Sequence, residues 1–185
     1  VMGAFFEAIL RAGFKQDRGM YFTHDNIARF MGEAVGLRGL TEQKWTSSGH
    51  PNHKLPYVID PACGSGTFLL HAMQIVTDSV RSNRARFVRT DADKDFFRTH
   101  FSDESPNAWA KDFLYGFDYK FIMALTAKVN MVLHGDGVTH IFKDDAYKPL
   151  TGYVDSKFRP VGETGRSLST AQYPRQVCET FDVVI

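Results

Sequence analysis

The sequence predicts an open, mainly parallel α/β sheet. Three observations carry that expectation: short apolar runs fit for buried strands recur along the chain, a glycine turn follows the first of them and opens a helix, and strand and helix alternate from there on. Ligands of such sheets sit beyond the carboxyl ends of the strands, so the informative residues are expected just after each strand.

Val1–Phe14 reads as the tail of a helix, with Phe5, Phe6, Ile9 and Leu10 at helical spacing. It has no evident cap, so residues 1–18 are expected to end a helical region that begins further upstream. Thr23 or Asp25 is the expected cap of a second helix whose apolar stripe is Ile27, Phe30, Met31, Ala34 and Val35, ended near Gly36. Leu37–Leu55 is polar, holds Gly39, Gly49 and Pro51, and reads as a loop. Tyr57-Val58-Ile59 is the first strand, followed by the glycine turn and a helix over Thr67–Val80 that carries Phe68, Leu69, Ala72, Met73 and Val76. Asn83–Ala110 is charged and partly helical. Leu114–Phe117 makes the second strand, and Ile122–Leu133 a helix with Leu125, Val129, Val132 and Leu133 on one face. His140–Phe142 is the third strand and Phe181–Ile185 the fourth, with Tyr147–Thr180 between them as a long, proline-bearing loop.

Composition narrows the function. A formal charge of +1 is too balanced for a chain that grips nucleic acid by electrostatics alone. Contact with DNA phosphates would then come from a local patch, further sequence or a partner. Cys63 and Cys178 form no C-x-x-C pair, and no signal peptide or long apolar run is present, so a cytoplasmic, membrane-free setting is expected. His50 and His53 lack a further ligand at metal spacing, so no metal is expected. Arg81, Arg84, Arg86, Arg89 and Arg98 are interleaved with Asp91, Asp93 and Asp95, the pattern of a solvated helix face rather than a phosphate grip. Cys63, inside the turn, reads as a small packing residue.

The strongest local signal is the string Asp60-Pro61-Ala62-Cys63-Gly64-Ser65-Gly66-Thr67-Phe68-Leu69-Leu70. Gly64 and Gly66 permit a tight turn and close backbone approach to a ligand. A dinucleotide fingerprint would need a third glycine where Leu69 stands, and an acidic residue further on where Asp78 falls in mid-helix. The acid that opens the turn suits a cationic methionine moiety better than a pyrophosphate.

This string resembles motif I of the N6-adenine DNA methyltransferases, above all the modification subunits of type I restriction-modification systems. Further segments follow in that family's order. Gly19-Met20-Tyr21-Phe22-Thr23 resembles motif X, Gly116-Phe117-Asp118 motif II, and Ala127 to Gly135 the helix after it. Ile141 to Ala146 resembles motif III, and Phe181–Ile185 the strand that leads into motif IV, N-P-P-[FY]. His24 stands where the family usually has proline, and Met20 where it often has glutamine.

The resemblance implies a Rossmann-like methyltransferase fold with S-adenosyl-L-methionine as cofactor. It implies methyl transfer to the N6 amine of adenine in DNA, with a specificity subunit and a restriction subunit as partners. Asp60, Gly64, Ser65, Gly66 and Thr67 would hold the methionine end of the cofactor, and Asp118 the ribose hydroxyls. Asp145 would bind the adenine amine, Ala146 would line the ring pocket, and Phe68 would pack beside it. Met20, Tyr21, Phe22, Thr23, His24 and Asp25 would close over the cofactor, with Thr23 near the methionine carboxylate. No catalytic residue falls in the chain, because N-P-P-[FY] would follow Ile185. Residues 19–185 are thus expected to be the cofactor-binding half of the domain, with an incomplete sheet, no activity alone and no cofactor binding tighter than micromolar. Other readings stay open: an amino methyltransferase acting on RNA or a protein glutamine, a non-catalytic scaffold of the same fold, and, third, a nicotinamide-dependent oxidoreductase.

Overall fold

The computed structural model describes residues 23–48, 53–135, 140–147 and 181–185. The helix expected over Val1–Phe14 and nearly all of the long loop expected over Tyr147–Thr180 lie outside them. Strands β1 (Val58–Asp60), β2 (Leu114–Asp118), β3 (His140–Lys143) and β4 (Val183–Val184) form one parallel sheet in the order β3-β2-β1-β4. The expected open α/β sheet is therefore the observed one. Its register sets Asp60 beside Gly116 and Asp118 beside Lys143, so the carboxyl ends of β1 and β2 lie close together.

Seven helices are described: α1 (Asp25–Ala34), α2 (Leu37–Ser47), α3 (Thr67–Ser82), α4 (Arg84–Phe87), α5 (Asp91–His100), α6 (Ala110–Phe113) and α7 (Phe121–Leu133). The helix α3 connects β1 to β2 and buries Leu69, Ala72, Met73, Ile75, Val76 and Val80, close to the stripe its sequence sets out. Gly116, in mid-β2, lets α3 and β3 approach together: a Cβ there would lie 2.8 Å from Ile141 Cδ1, 2.9 Å from Leu69 Cδ1 and 3.1 Å from Cys63 Sγ.

Four expectations are corrected. First, α1 is capped by His24, whose ring accepts the Asn26 N–H, and not by Thr23 or Asp25. Second, Leu37–Leu55 is not a loop throughout, since α2 occupies most of it. Leu37, Thr41 and Trp45 recur every four residues and all are buried, a helical period hidden between polar residues. Third, α1 and α7 turn their expected apolar stripes outward. Ile27, Phe30, Met31 and Val35 are exposed while Ala28 and Gly32 are buried. On α7, Leu125, Val132 and Leu133 are exposed while Met123, Ala124, Ala127, Asn130 and Met131 are buried. Close packing against α3 selects small and unbranched side chains, which hydrophobicity alone does not flag.

Fourth, Asp93 does not belong to a solvated face. It is buried, closes a capping box with Thr90 and forms an ion pair with buried Lys54 at 2.5 Å. The neighbouring arginines do behave as surface groups: Arg86 pairs with Glu42, Arg98 with Asp95 and Arg81 with Asp103. At this amino-terminal edge of the sheet α2 delivers Trp45 into an aromatic cluster. It stacks on Phe87 with centroids 5.3 Å apart, meets Phe96 edge-on, and donates its indole N–H to the Phe87 carbonyl.

Candidate functional site

At the opposite edge lie the carboxyl ends of the strands and the turn that follows β1. The turn after β1 is built around two glycines in the left-handed region, Gly64 at φ 54° and Gly66 at φ 84°. Side chains rarely adopt that backbone shape, which explains both residues locally. A Cβ on Gly66 would also press on Ala127 of α7, 3.3 Å from its Cβ, whereas one on Gly64 would point into open space. Gly66 starts α3 without any side-chain cap.

Several bonds fix this turn against the rest of the sheet. The Cys63 N–H donates to the Phe117 carbonyl at 2.8 Å, and the Gly66 N–H to the Cys63 carbonyl at 2.7 Å. Asp118, at the tip of β2, accepts the Gly64 N–H at 3.1 Å and the Lys120 N–H at 2.7 Å. Its backbone carbonyl accepts the Asp144 N–H at 3.1 Å, which draws the segment after β3 to the same edge. From α7, Asn130 donates its side-chain amide to the Ser65 carbonyl at 2.8 Å. The Asn130 Oδ1 is buried and has no hydrogen-bond partner among the described residues.

The electrostatics is unbalanced. Asp60 is buried at 4% exposure and accepts one bond, from the Ala62 N–H at 3.0 Å. Burial, reinforced by the neighbouring Asp118 charge and only partly offset by that N–H, pushes its carboxyl up to about 6. Among the described residues no cation pairs with it. Burial likewise drives the Cys63 thiol far above its ordinary range, with the Asp60 and Asp118 charges adding to the effect, so it is no thiolate nucleophile.

Asp60, Gly64, Ser65, Gly66, Thr67 and Asp118 are thus brought to one edge, and Asp144 brings Asp145 and Ala146 up beside them. Asp145 spends one oxygen on the Tyr147 N–H, 2.9 Å away. Phe68 is half-buried. Met20, Tyr21 and Phe22 lie outside the described residues, as does His50. Among the described residues no group of three potential ligands could hold a metal ion. Asp25 does not reach the turn through its carboxylate, which instead meets His71 Nε2 of α3 at 2.8 Å. Sequence reasoning gave no role to Asn130, Ala127 or His71. The signal for Asn130 was an amide inside an otherwise apolar helical face.

The sequence model of the family described as N-6 DNA Methylase matches residues 1–161. The chain is 24% identical over 147 residues to the type II restriction enzyme and methyltransferase RM.BcgI of Heyndrickxia coagulans. That match takes in 78% of the chain but only 18% of the relative's length. A crystal structure from Vibrio vulnificus YJ016, assigned as a modification subunit of a type I restriction enzyme, aligns with a TM-score of 0.47 and 22% identity. The alignment covers 84% of this chain and 25% of that one. No described helix is long and apolar enough to cross a membrane. On the family match, which spans most of its length, the chain belongs to the N-6 DNA methylase family.

Proposed function

We propose that this chain binds S-adenosyl-L-methionine at the carboxyl edge of its sheet and serves methyl transfer to the N6 amine of adenine in DNA. The observation that carries the reading is Asp60, a buried carboxylate with no cationic partner among the described residues, beside a glycine turn with open space at Gly64. A ligand with a positive centre would supply the missing charge. The residues present fit that ligand. Asp118 accepts two backbone N–H bonds, and an ionised carboxylate offers about four acceptor sites, so it retains capacity for sugar hydroxyls.

In this reading the sulfonium cofactor, when bound, supplies an activated methyl group. Asp60 balances the positive charge, and the turn from Gly64 to Thr67 receives the methionine end. Asp118 orients the ribose while its two N–H bonds keep the carboxylate from rotating. Asp145 and Ala146 face the base. Asn130 and Ala127 hold the turn against α7, which fixes donor position, the main requirement of an in-line transfer.

The wider reading is likewise a proposal: residues 19–185 act as the cofactor-binding half of a cytoplasmic restriction-modification enzyme. Its partners would be DNA, a specificity subunit and a restriction subunit. Titration calorimetry with S-adenosyl-L-methionine, against NAD as a control, tests the core of it. Binding of the former alone, abolished by Asp118→Ala, is expected. Preference for NAD, or binding indifferent to Asp118→Ala, would overturn the reading.

A further inference from the structure

The helix α1 packs on α3 through small residues. The helix buries only Ala28 and Gly32, and a Cβ on Gly32 would lie 2.8 Å from Ile75 Cδ1 of α3, so the two helices touch closely there. That contact, at Gly32, lies in the second turn of α1. Its first turn carries one polar bond to α3, between Asp25 Oδ1 and His71 Nε2 at 2.8 Å.

The two ends of this bond differ in a telling way. The His71 side chain is 9% exposed, whereas the Asp25 side chain is 75% exposed. The other ring nitrogen, Nδ1, is buried and has no hydrogen-bond partner among the described residues. A proton there would be a buried donor without an acceptor, so the arrangement fits the tautomer with its proton on Nε2, donated to Asp25. His71 stands one helical turn into α3, about 6 Å along the axis from Thr67, where the glycine turn ends. The bond therefore delivers the start of α1, with Thr23 and His24 just before it, to the flank of the turn that carries Gly64 and Gly66.

We propose that Asp25 and His71 are positioning residues: their hydrogen bond tethers the entry of α1 beside the glycine turn and so sets cofactor affinity, without either side chain touching the cofactor. The inference rests on the cofactor reading above and assigns Asp25 a role other than direct contact. A single hydrogen bond whose acceptor is so open to solvent adds little to global stability. Its loss should therefore be felt in binding rather than in folding.

Titration of S-adenosyl-L-methionine into the protein and its variants, with thermal unfolding in parallel, separates the possibilities. Asp25→Ala should weaken affinity about tenfold with the unfolding midpoint nearly unchanged. Asp25→Asn keeps an Oδ1 acceptor and should restore affinity to within about twofold. From the other side, His71→Gln keeps a donor and should bind far better than His71→Leu. Equal weakening by Asp25→Ala and Asp25→Asn, or none by Asp25→Ala while Asp118→Ala abolishes binding, overturns the tether and leaves the cofactor reading intact. Failure of the unaltered protein to bind overturns both.

Discussion

Two aspartates at opposite edges of the same sheet make the clearest comparison in this molecule. Asp60 and Asp93 are buried to a similar degree, 4% and 8% exposed. Asp93 accepts from the Lys54 ammonium at 2.5 Å, the Thr90 N–H at 2.9 Å and the Thr90 hydroxyl at 2.7 Å. Burial would raise its carboxyl, but those bonds outweigh it and hold the group well below the usual carboxylate range. Asp60 has one N–H donor and a like-charged neighbour, and its carboxyl rises to about 6. Burial pushes both carboxyls upward, so it does not separate the two groups. What decides is whether the fold brings a partner, and at Asp60 it brings none among the described residues.

The comparison can be broken at either end. The largest effect is expected from Lys54→Met, which leaves Asp93 buried without its cation and should cost about 3–5 kcal/mol in denaturant unfolding. Cofactor affinity of the folded protein should stay within about twofold, since Lys54 lies at the far edge; a large loss would merge the two regions into one. Asp60→Asn should act in the opposite sense. It removes an ionised group whose carboxyl is raised from 3.8 to about 6, and should stabilise the fold at neutral pH by about 2 kcal/mol while weakening cofactor binding at least tenfold. Gly66→Ala places a methyl against Ala127 in a left-handed backbone and should cost about 1–2 kcal/mol together with affinity.

The pH dependence sharpens the contrast. The Asp60 carboxyl titrates higher in the fold than the ordinary 3.8. Its contribution is fully present below that value and lost as pH rises through about 6. Asp93 titrates lower in the fold, so its contribution is present above the ordinary carboxylate value and lost as pH falls through its depressed one. Unfolding followed from pH 4 to 7 should lose a declining limb in Asp60→Asn and keep it in Lys54→Met. Binding of a cationic ligand should weaken as pH drops below about 6, because protonated Asp60 offers no charge.

Much of this was readable before the structure. The parallel α/β sheet followed from the alternation of apolar runs with helical segments, and Asp60, Gly64, Gly66 and Asp118 stood just after strands, at the sheet's carboxyl edge. The misses share a cause. Hydrophobicity named Ile27, Phe30 and Val35 on α1 and Leu125 and Val132 on α7 as inward residues, yet all five face outward. The inward positions belong to Ala28, Gly32, Ala124 and Ala127, because a helix packed tightly on another needs small side chains at the contact. The helix α2 stayed hidden because three buried residues, one of them Thr41, were diluted by eight others. Asp93 looked like one of a run of surface acids because its partner Lys54 lies 39 residues away, beyond any local pattern.

Gly116 has a further consequence. The hydrogen atom it carries in place of a side chain is a shared allowance of space among Cys63, Leu69 and Ile141. Those residues belong to the glycine turn, the helix after it and the neighbouring strand, so the four positions cannot change size independently. A library randomised at all four should return folded variants in which a larger residue at 116 always travels with trimming at 63, 69 or 141.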